Sequence, residues 1–263
     1  MSGPRLVGMI HLPALPGTAA SRCTLAEILD AALADALVLA AAGFDGVLVQ
    51  NSLDRPTRQT VDILTVAQMT AVTTRVRQAT DLAVGVNIVK NDGPAAVAIA
   101  AATDADFVRV KVLTGAVLSA EGIVQGCAAA THDLRRRSGS AVEIWADVYE
   151  PTSRPLLDED FAAALVDTLD FGSADAVIVT GATTADTLEL ARRTRTRRPG
   201  ARIVIGGRIS APSLAEAFSV ADSVIVGSAL KRVPGIEGRV DPGCAREIME
   251  AAHATGWVSS ASR

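Results

Sequence analysis

The chain has 263 residues, 49% of them hydrophobic but only 3% aromatic, with a net charge of −4. That is long enough for one large domain and apolar enough for a sizeable core filled by Ala, Val, Ile and Leu, while the acidic balance argues against nucleic acid as a partner. Cys23, Cys127 and Cys244 are odd in number and far apart, which argues against a disulfide framework and a structural zinc site and for a reducing compartment.

Short Val- and Ile-rich runs alternate with Ala-rich helical segments along the whole length. Strands are predicted at 6–12, 46–51, 83–89, 107–113, 141–148, 176–180, 202–206 and 223–227. Helices are predicted at 25–42, 60–79, 94–103, 122–137, 159–171, 184–198, 210–219 and 241–255. Thr24 precedes Glu27 at capping-box spacing, Gly43 follows the first helix as a C-cap, and Ser210-Ala211-Pro212 opens another helix. The basic run Arg192, Arg193, Arg195, Arg197 and Arg198 reads as a solvated helix surface ending at Pro199-Gly200. Met1-Ser2-Gly3-Pro4-Arg5 lacks a signal-peptide pattern, and Asp35 breaks the apolar stretch 31–42. A cytoplasmic protein that does not enter the membrane is expected.

Eight βα units need a parallel sheet with helical cover. No GxGxxG follows the first strand, no linker divides the chain, and the count of eight favours a (β/α)8 TIM barrel, α/β in class, as one domain over 1–263. An open doubly wound sheet is the alternative.

Strand parity then selects the inward side chains. In the fourth strand Arg109, Lys111 and Leu113 oppose Val108, Val110 and Val112; in the fifth, Glu143, Trp145 and Asp147 oppose Val142, Ile144, Ala146 and Val148. Arg109 and Glu143 lie mid-strand and read as a structural ion pair. Lys111 and Asp147 lie near the C-terminal ends, where such barrels do their chemistry, and with His11 they form the expected catalytic set. Asn51, Asp54, Asn87, Lys90 and Asn91 crowd the same rim, as substrate-binding groups or as turn and cap residues, with Arg109 and Glu143 below them. After the last two strands, Gly206-Gly207 and Gly227-Ser228 allow backbone N–H groups to approach a phosphate; tight turns are the other reading. No metal constellation and no cofactor motif is evident, with Mg2+ on Asp54, Asp92 or Asp147 left open. The exposed apolar run Ala116-Val117-Leu118 points to a homo-oligomer.

The segments Val7-Gly8-Met9-Ile10-His11-Leu12-Pro13-Ala14-Leu15-Pro16-Gly17, Gly85–Asp92, Val108–Ala116 and Ala221–Lys231 resemble the BtpA/SgcQ family over almost the whole chain. The resemblance implies a barrel related to phosphate-binding ones. It links some relatives to photosystem I biogenesis and others to sugar-phosphotransferase genes. Lys111 and Leu113 stand where relatives commonly carry Asn and His, and Tyr149–Pro155 where they often carry a Lys-His pair, so an altered substrate or activity is implied. The leading expectation is an enzyme acting on a phosphorylated sugar or related metabolite by isomerisation or by C–C or C–N bond chemistry. Asp147 would serve as acid or base and Lys111 as electrophile or Schiff-base amine. The alternative is a non-catalytic assembly or regulatory factor. A nucleoside triphosphatase lacks its Walker loop.

Overall fold

Eight strands close into a parallel barrel in the computed structural model, which describes residues 5–149, 151–156, 160–233 and 235–257. In chain order the elements are β1 (Leu6–His11), α1 (Leu25–Ala42), β2 (Gly46–Gln50), α2 (Ile63–Ala79), β3 (Ala83–Asn87), α3 (Gly93–Thr103) and β4 (Phe107–Val110). A hairpin, β5 (Ala116–Ser119) and β6 (Gly122–Gln125), precedes α4 (Ala128–Ser138). There follow β7 (Glu143–Asp147), the short β8 (Arg154–Pro155), α5 (Phe161–Val166), β9 (Ala176–Val179), α6 (Thr184–Arg197), β10 (Ile203–Ile205), α7 (Leu214–Val220), β11 (Ser223–Val226) and α8 (Pro242–Ala254). The barrel order is β1-β2-β3-β4-β7-β9-β10-β11, closing on β1. Met1–Pro4, Glu150 in the segment after β7, and the start expected for a helix at 159 lie outside the described residues.

Local chemistry starts and stops the helices. Thr24 accepts from the Glu27 N–H while the Glu27 carboxylate accepts from the Thr24 N–H, and Gly43 ends α1 at φ 99°. Asp62, Asp92 and Asp241 cap α2, α3 and α8 through their carboxylates. The basic run on α6 is a helix surface, with Arg192 on Glu216, Arg195 on Asp222 and Arg198 on Asp170.

One device repeats at the N-terminal end of the barrel. An Asp stands immediately before β2, β4, β9 and β11 and caps the first free N–H of the preceding barrel strand. Asp45 accepts from Leu6 (2.9 Å), Asp106 from Val84 (2.8 Å), Asp175 from Ile144 (2.8 Å) and Asp222 from Ile203 (2.8 Å). Arg77, Arg135 and Arg195, on α2, α4 and α6, bind three of these carboxylates. Each Asp opens the pattern Asp-x-Val-x-Val or Asp-x-Val-Leu-Val, so the barrel reads as four double βα units.

The lumen is filled in layers. Registers run His11, Gln50, Asn87, Arg109 and Trp145 across successive strands, and this slant brings side chains of alternate strands to one height. At the bottom Phe107 stacks on Trp145 (centroids 3.9 Å apart) and Arg202 lies over the Trp145 ring. Above them come Leu48, Arg109, Ile178 and Ile225, then Met9, Asn87, Asp147 and Gly206, then Gln50, Lys111, Thr180 and Gly227.

The hairpin corrects the expected helix 122–137. Val117 and Val124 face each other across β5 and β6 and pack on Val112, so alternation, not helical periodicity, governs 116–125. Gly122, at φ 92°, makes the turn that Glu121 enters. β8 pairs with β5, giving a three-stranded antiparallel flap over the C-terminal mouth. Val117, expected at an exposed tip, is therefore buried, and Leu118 and Ile123 carry the outer apolar face. Among the described residues no helix is long and apolar enough to cross a membrane.

Candidate functional site

His11 ends β1 with its ring inside the barrel and 8% of the residue exposed. Burial, then the positive charges of Lys231, Arg109 and Lys111, hold its pKa down at about 3, so the imidazole is neutral at ordinary pH. His11 thus reports a positive potential at the mouth, made by side chains of β4, the segment after it, and the segment after β11.

Arg109 grips Asp147 as a two-pronged ion pair, Nε to Oδ2 at 2.8 Å and Nη2 to Oδ1 at 2.7 Å, both side chains buried. The expected Arg109–Glu143 pair does not form. Glu143 lies at the start of β7, at the opposite end of the lumen, where its carboxylate accepts from Trp145 Nε1 (2.8 Å) and Arg202 (2.6 Å). Four residue steps of strand separate it from Asp147, about 13 Å along the chain, which removes it from the rim. Lys111 follows the last residue of β4, is half-buried, and lines a narrow crevice with Asp147, Val117 and Tyr149. His11, Lys111 and Asp147 therefore share one end of the barrel.

Several rim residues are braces. Asn51 accepts from the Val89 N–H (2.9 Å) and donates to Asp54 (2.8 Å), whose other oxygen accepts from the Leu15 N–H (2.7 Å). Burial pushes the Asp54 carboxyl up, against those two hydrogen bonds. Asn91 both donates to and accepts from the backbone of Val112. Lys90 reaches Thr152 at 2.7 Å, tying the β3 end to the segment after β7. Asn87 points inward and donates to the Arg109 carbonyl (2.8 Å), while its Oδ1 is buried with no partner among the described residues. Asp54, Asp92 and Asp147, for which Mg2+ was left open, commit oxygens to protein donors, and among the described residues no group of three His, Cys, Asp or Glu is placed to hold a metal.

The glycines at the β10 and β11 ends divide into two kinds. A Cβ on Gly206 would meet Ile178 and Thr180 at 2.5 Å, and one on Gly227 would lie 3.1 Å from the His11 ring. These two make room for inward neighbours. Gly207 is different: its Cβ would come no closer than 3.7 Å to anything, leaving its backbone approachable. Ser228 starts a single 3-10 turn, Ser228–Leu230, and is exposed.

A depression of about 1040 Å3 lies at the other end among the strand starts, bordered by Asp45, Arg77, Asp106 and Glu143. Two of its carboxylates, Asp45 and Asp106, cap strands, and Arg77 and Glu143 are held in ion pairs, which marks that face as structural.

The BtpA family profile matches residues 3–254. The chain belongs to the BtpA family. An uncharacterized protein of Thermococcus kodakarensis is 37% identical over 94% of each chain. The photosystem I biogenesis protein BtpA of Synechocystis is 35% identical over 90% of this chain and 84% of its own. Among solved structures, N-(5'-phosphoribosyl)anthranilate isomerase from Pyrococcus furiosus overlays with a TM-score of 0.58 at 12% identity, covering 95% of this chain and 99% of its own. That likeness is one of fold.

Two buried residues of this BtpA-family barrel escape a reading by charge and motif. Thr180 follows β9, is 8% exposed, and its Oγ1 has no partner among the described residues. Lys231, after β11, is 4% exposed and donates to the Gly238 carbonyl. Burial lowers its pKa, with Asp35 opposing. Parity and position after a strand were the available signals for Thr180, but a lone Thr carries no motif.

Proposed function

We propose that the chain is an enzyme acting on a phosphorylated sugar or related small metabolite at the C-terminal mouth of the barrel. The observation that carries this is a set of cations at one end of the lumen: Lys231, Arg109 and Lys111 all act on the buried neutral imidazole of His11, and the backbone of Gly207 is open at the same end. An anion entering there meets cations already arranged for it, at lower reorganisation cost. The barrel it overlays is, by name, an isomerase of a phosphoribosyl compound. Isomerisation or C–C or C–N bond chemistry fits the groups at hand. Lys111 supplies the amine or electrophile. His11 presents a neutral imidazole to the substrate as a hydrogen-bond partner, and Asp147, with both oxygens engaged by the Arg109 fork, holds that guanidinium in place. Phosphate binds through the backbone of Gly207 and Ser228, with Gly206 and Gly227 widening the lumen.

The test is calorimetry with sugar phosphates on wild type and Gly207→Val, a change that meets only ordinary contacts in the fold. A tenfold loss of affinity, about 1.4 kcal/mol, is expected. Equal binding of phosphorylated and unphosphorylated sugars overturns the assignment. The assembly-factor reading draws on the Synechocystis relative's name. It gains if the mouth binds no small molecule while the protein captures a defined partner.

A further inference from the structure

Three buried polar atoms at the mouth have no hydrogen-bond partner among the described residues: His11 Nδ1, Asn87 Oδ1 and Thr180 Oγ1. Their residues are 8%, 1% and 8% exposed and end or follow β1, β3 and β9, so they approach the lumen from three sides. Each lies within the top three inward layers. The Thr180 hydroxyl faces the β10 side, since a Cβ on Gly206 would sit 2.5 Å from it. An unmade hydrogen bond on a buried group costs about 1–3 kcal/mol, so three at one end of one lumen is a concentrated penalty that a ligand removes.

We infer that His11, Asn87 and Thr180 form a hydroxyl-recognition subsite, and that the ligand is a polyhydroxylated carbon chain carrying an anionic group. The orientation of Asn87 is fixed, because its amide nitrogen must face the Arg109 carbonyl at 2.8 Å, which leaves Oδ1 as a pure acceptor. The ligand must bring it a donor. A cationic amine is disfavoured where Lys231, Arg109 and Lys111 set the potential, so the donor is a neutral hydroxyl. Thr180 and His11 can each give or take a hydrogen bond, which matches further hydroxyls along the same chain. An aromatic or aliphatic phosphate brings no hydroxyl donor to the Asn87 acceptor. The anionic group of this ligand rests on the function proposed above; the hydroxyl recognition stands on the three atoms themselves.

The variant that tests it is Thr180→Val, which keeps the shape and deletes an unpartnered hydroxyl. Calorimetry compares ribose 5-phosphate, ribose, phenyl phosphate and inorganic phosphate on wild type, Thr180→Val and Thr180→Ser, with thermal melts alongside. Ribose 5-phosphate should bind at least tenfold tighter than phenyl phosphate or inorganic phosphate. Thr180→Val should remove most of that advantage without lowering the melting temperature, and Thr180→Ser should restore it. If ribose binds as tightly as its phosphate and both weaken in Thr180→Val, hydroxyl recognition stands and the phosphate assignment falls. If phenyl phosphate matches ribose 5-phosphate, or Thr180→Val melts lower with unchanged affinity, the subsite is overturned while the phosphate assignment survives. Failure of every compound to bind overturns both.

Discussion

The Arg109–Asp147 pair offers the sharpest test of how the site is held. Their side chains are 8% and 0% exposed and share two hydrogen bonds of 2.7–2.8 Å, so neither charge has water to fall back on. Removing Arg109 strands the buried Asp147 carboxylate, a loss of about 3–5 kcal/mol for Arg109→Met, while Asp147→Leu takes two hydrogen bonds from Arg109. For a domain of this size that lowers the melting temperature by roughly 10 °C. The double variant removes both desolvation penalties together and should cost at least about 2 kcal/mol less than the sum of the singles. Urea unfolding of the four proteins closes the cycle. Lys111→Met, at a half-buried position beside the same crevice, should stay within about 1 kcal/mol of wild type, which separates a group that works at the mouth from one that supports it. Additive losses, or singles within about 1 kcal/mol of wild type, would refute the claim that this pair is a desolvated unit.

Acid stability should report His11. Its folded pKa, about 3, lies below the unfolded value of 6.5, so the unfolded chain takes up the proton first. The contribution is therefore complete above pH 6.5 and is lost as pH falls from 6.5 towards 3, by about 1.4 kcal/mol per unit. The wild-type minus His11→Gln difference, followed by urea unfolding from pH 7.5 to 5, should shrink by roughly 2 kcal/mol; a flat difference contradicts the buried neutral imidazole. The strand-start carboxylates make a separate prediction. Asp175→Ala strips the Ile144 N–H of its acceptor and should cost about 1–2 kcal/mol, whereas Asp175→Asn keeps an acceptor and should cost less than about half of that. Equal losses would place the stabilisation in the partly exposed Arg135 ion pair instead.

Much of this architecture is legible because a parallel barrel imposes simple rules on each strand. Eight Val- and Ile-rich runs, two caps and strand parity suffice to bring His11, Lys111 and Asp147 to the same end. The hairpin was hidden because β5 and β6 are four residues each and joined through Gly122, too short for alternation to outweigh an Ala-rich continuation into α4. The repeated Asp before β2, β4, β9 and β11 was visible as a recurring Asp-x-Val pattern. A search that weighs segments singly does not register it.

What parity cannot supply is height. Two side chains on the same face of β7, Glu143 and Asp147, differ only in how far along the lumen they stand, and that is set by register against β4 and β9. Arg109 lies level with Trp145 in the hydrogen-bond register, so its long side chain could turn down to Glu143 or up to Asp147. The bottom is already occupied by the Phe107–Trp145 stack and by Arg202, which takes Glu143, and the top is kept open beside it by Gly206, whose Cβ would lie 3.3 Å from Arg109 Nη2. The guanidinium therefore rises to the mouth. The glycine that follows β10 thus decides the partner of an arginine on β4, a coupling across the lumen that separate readings of the two strands do not contain.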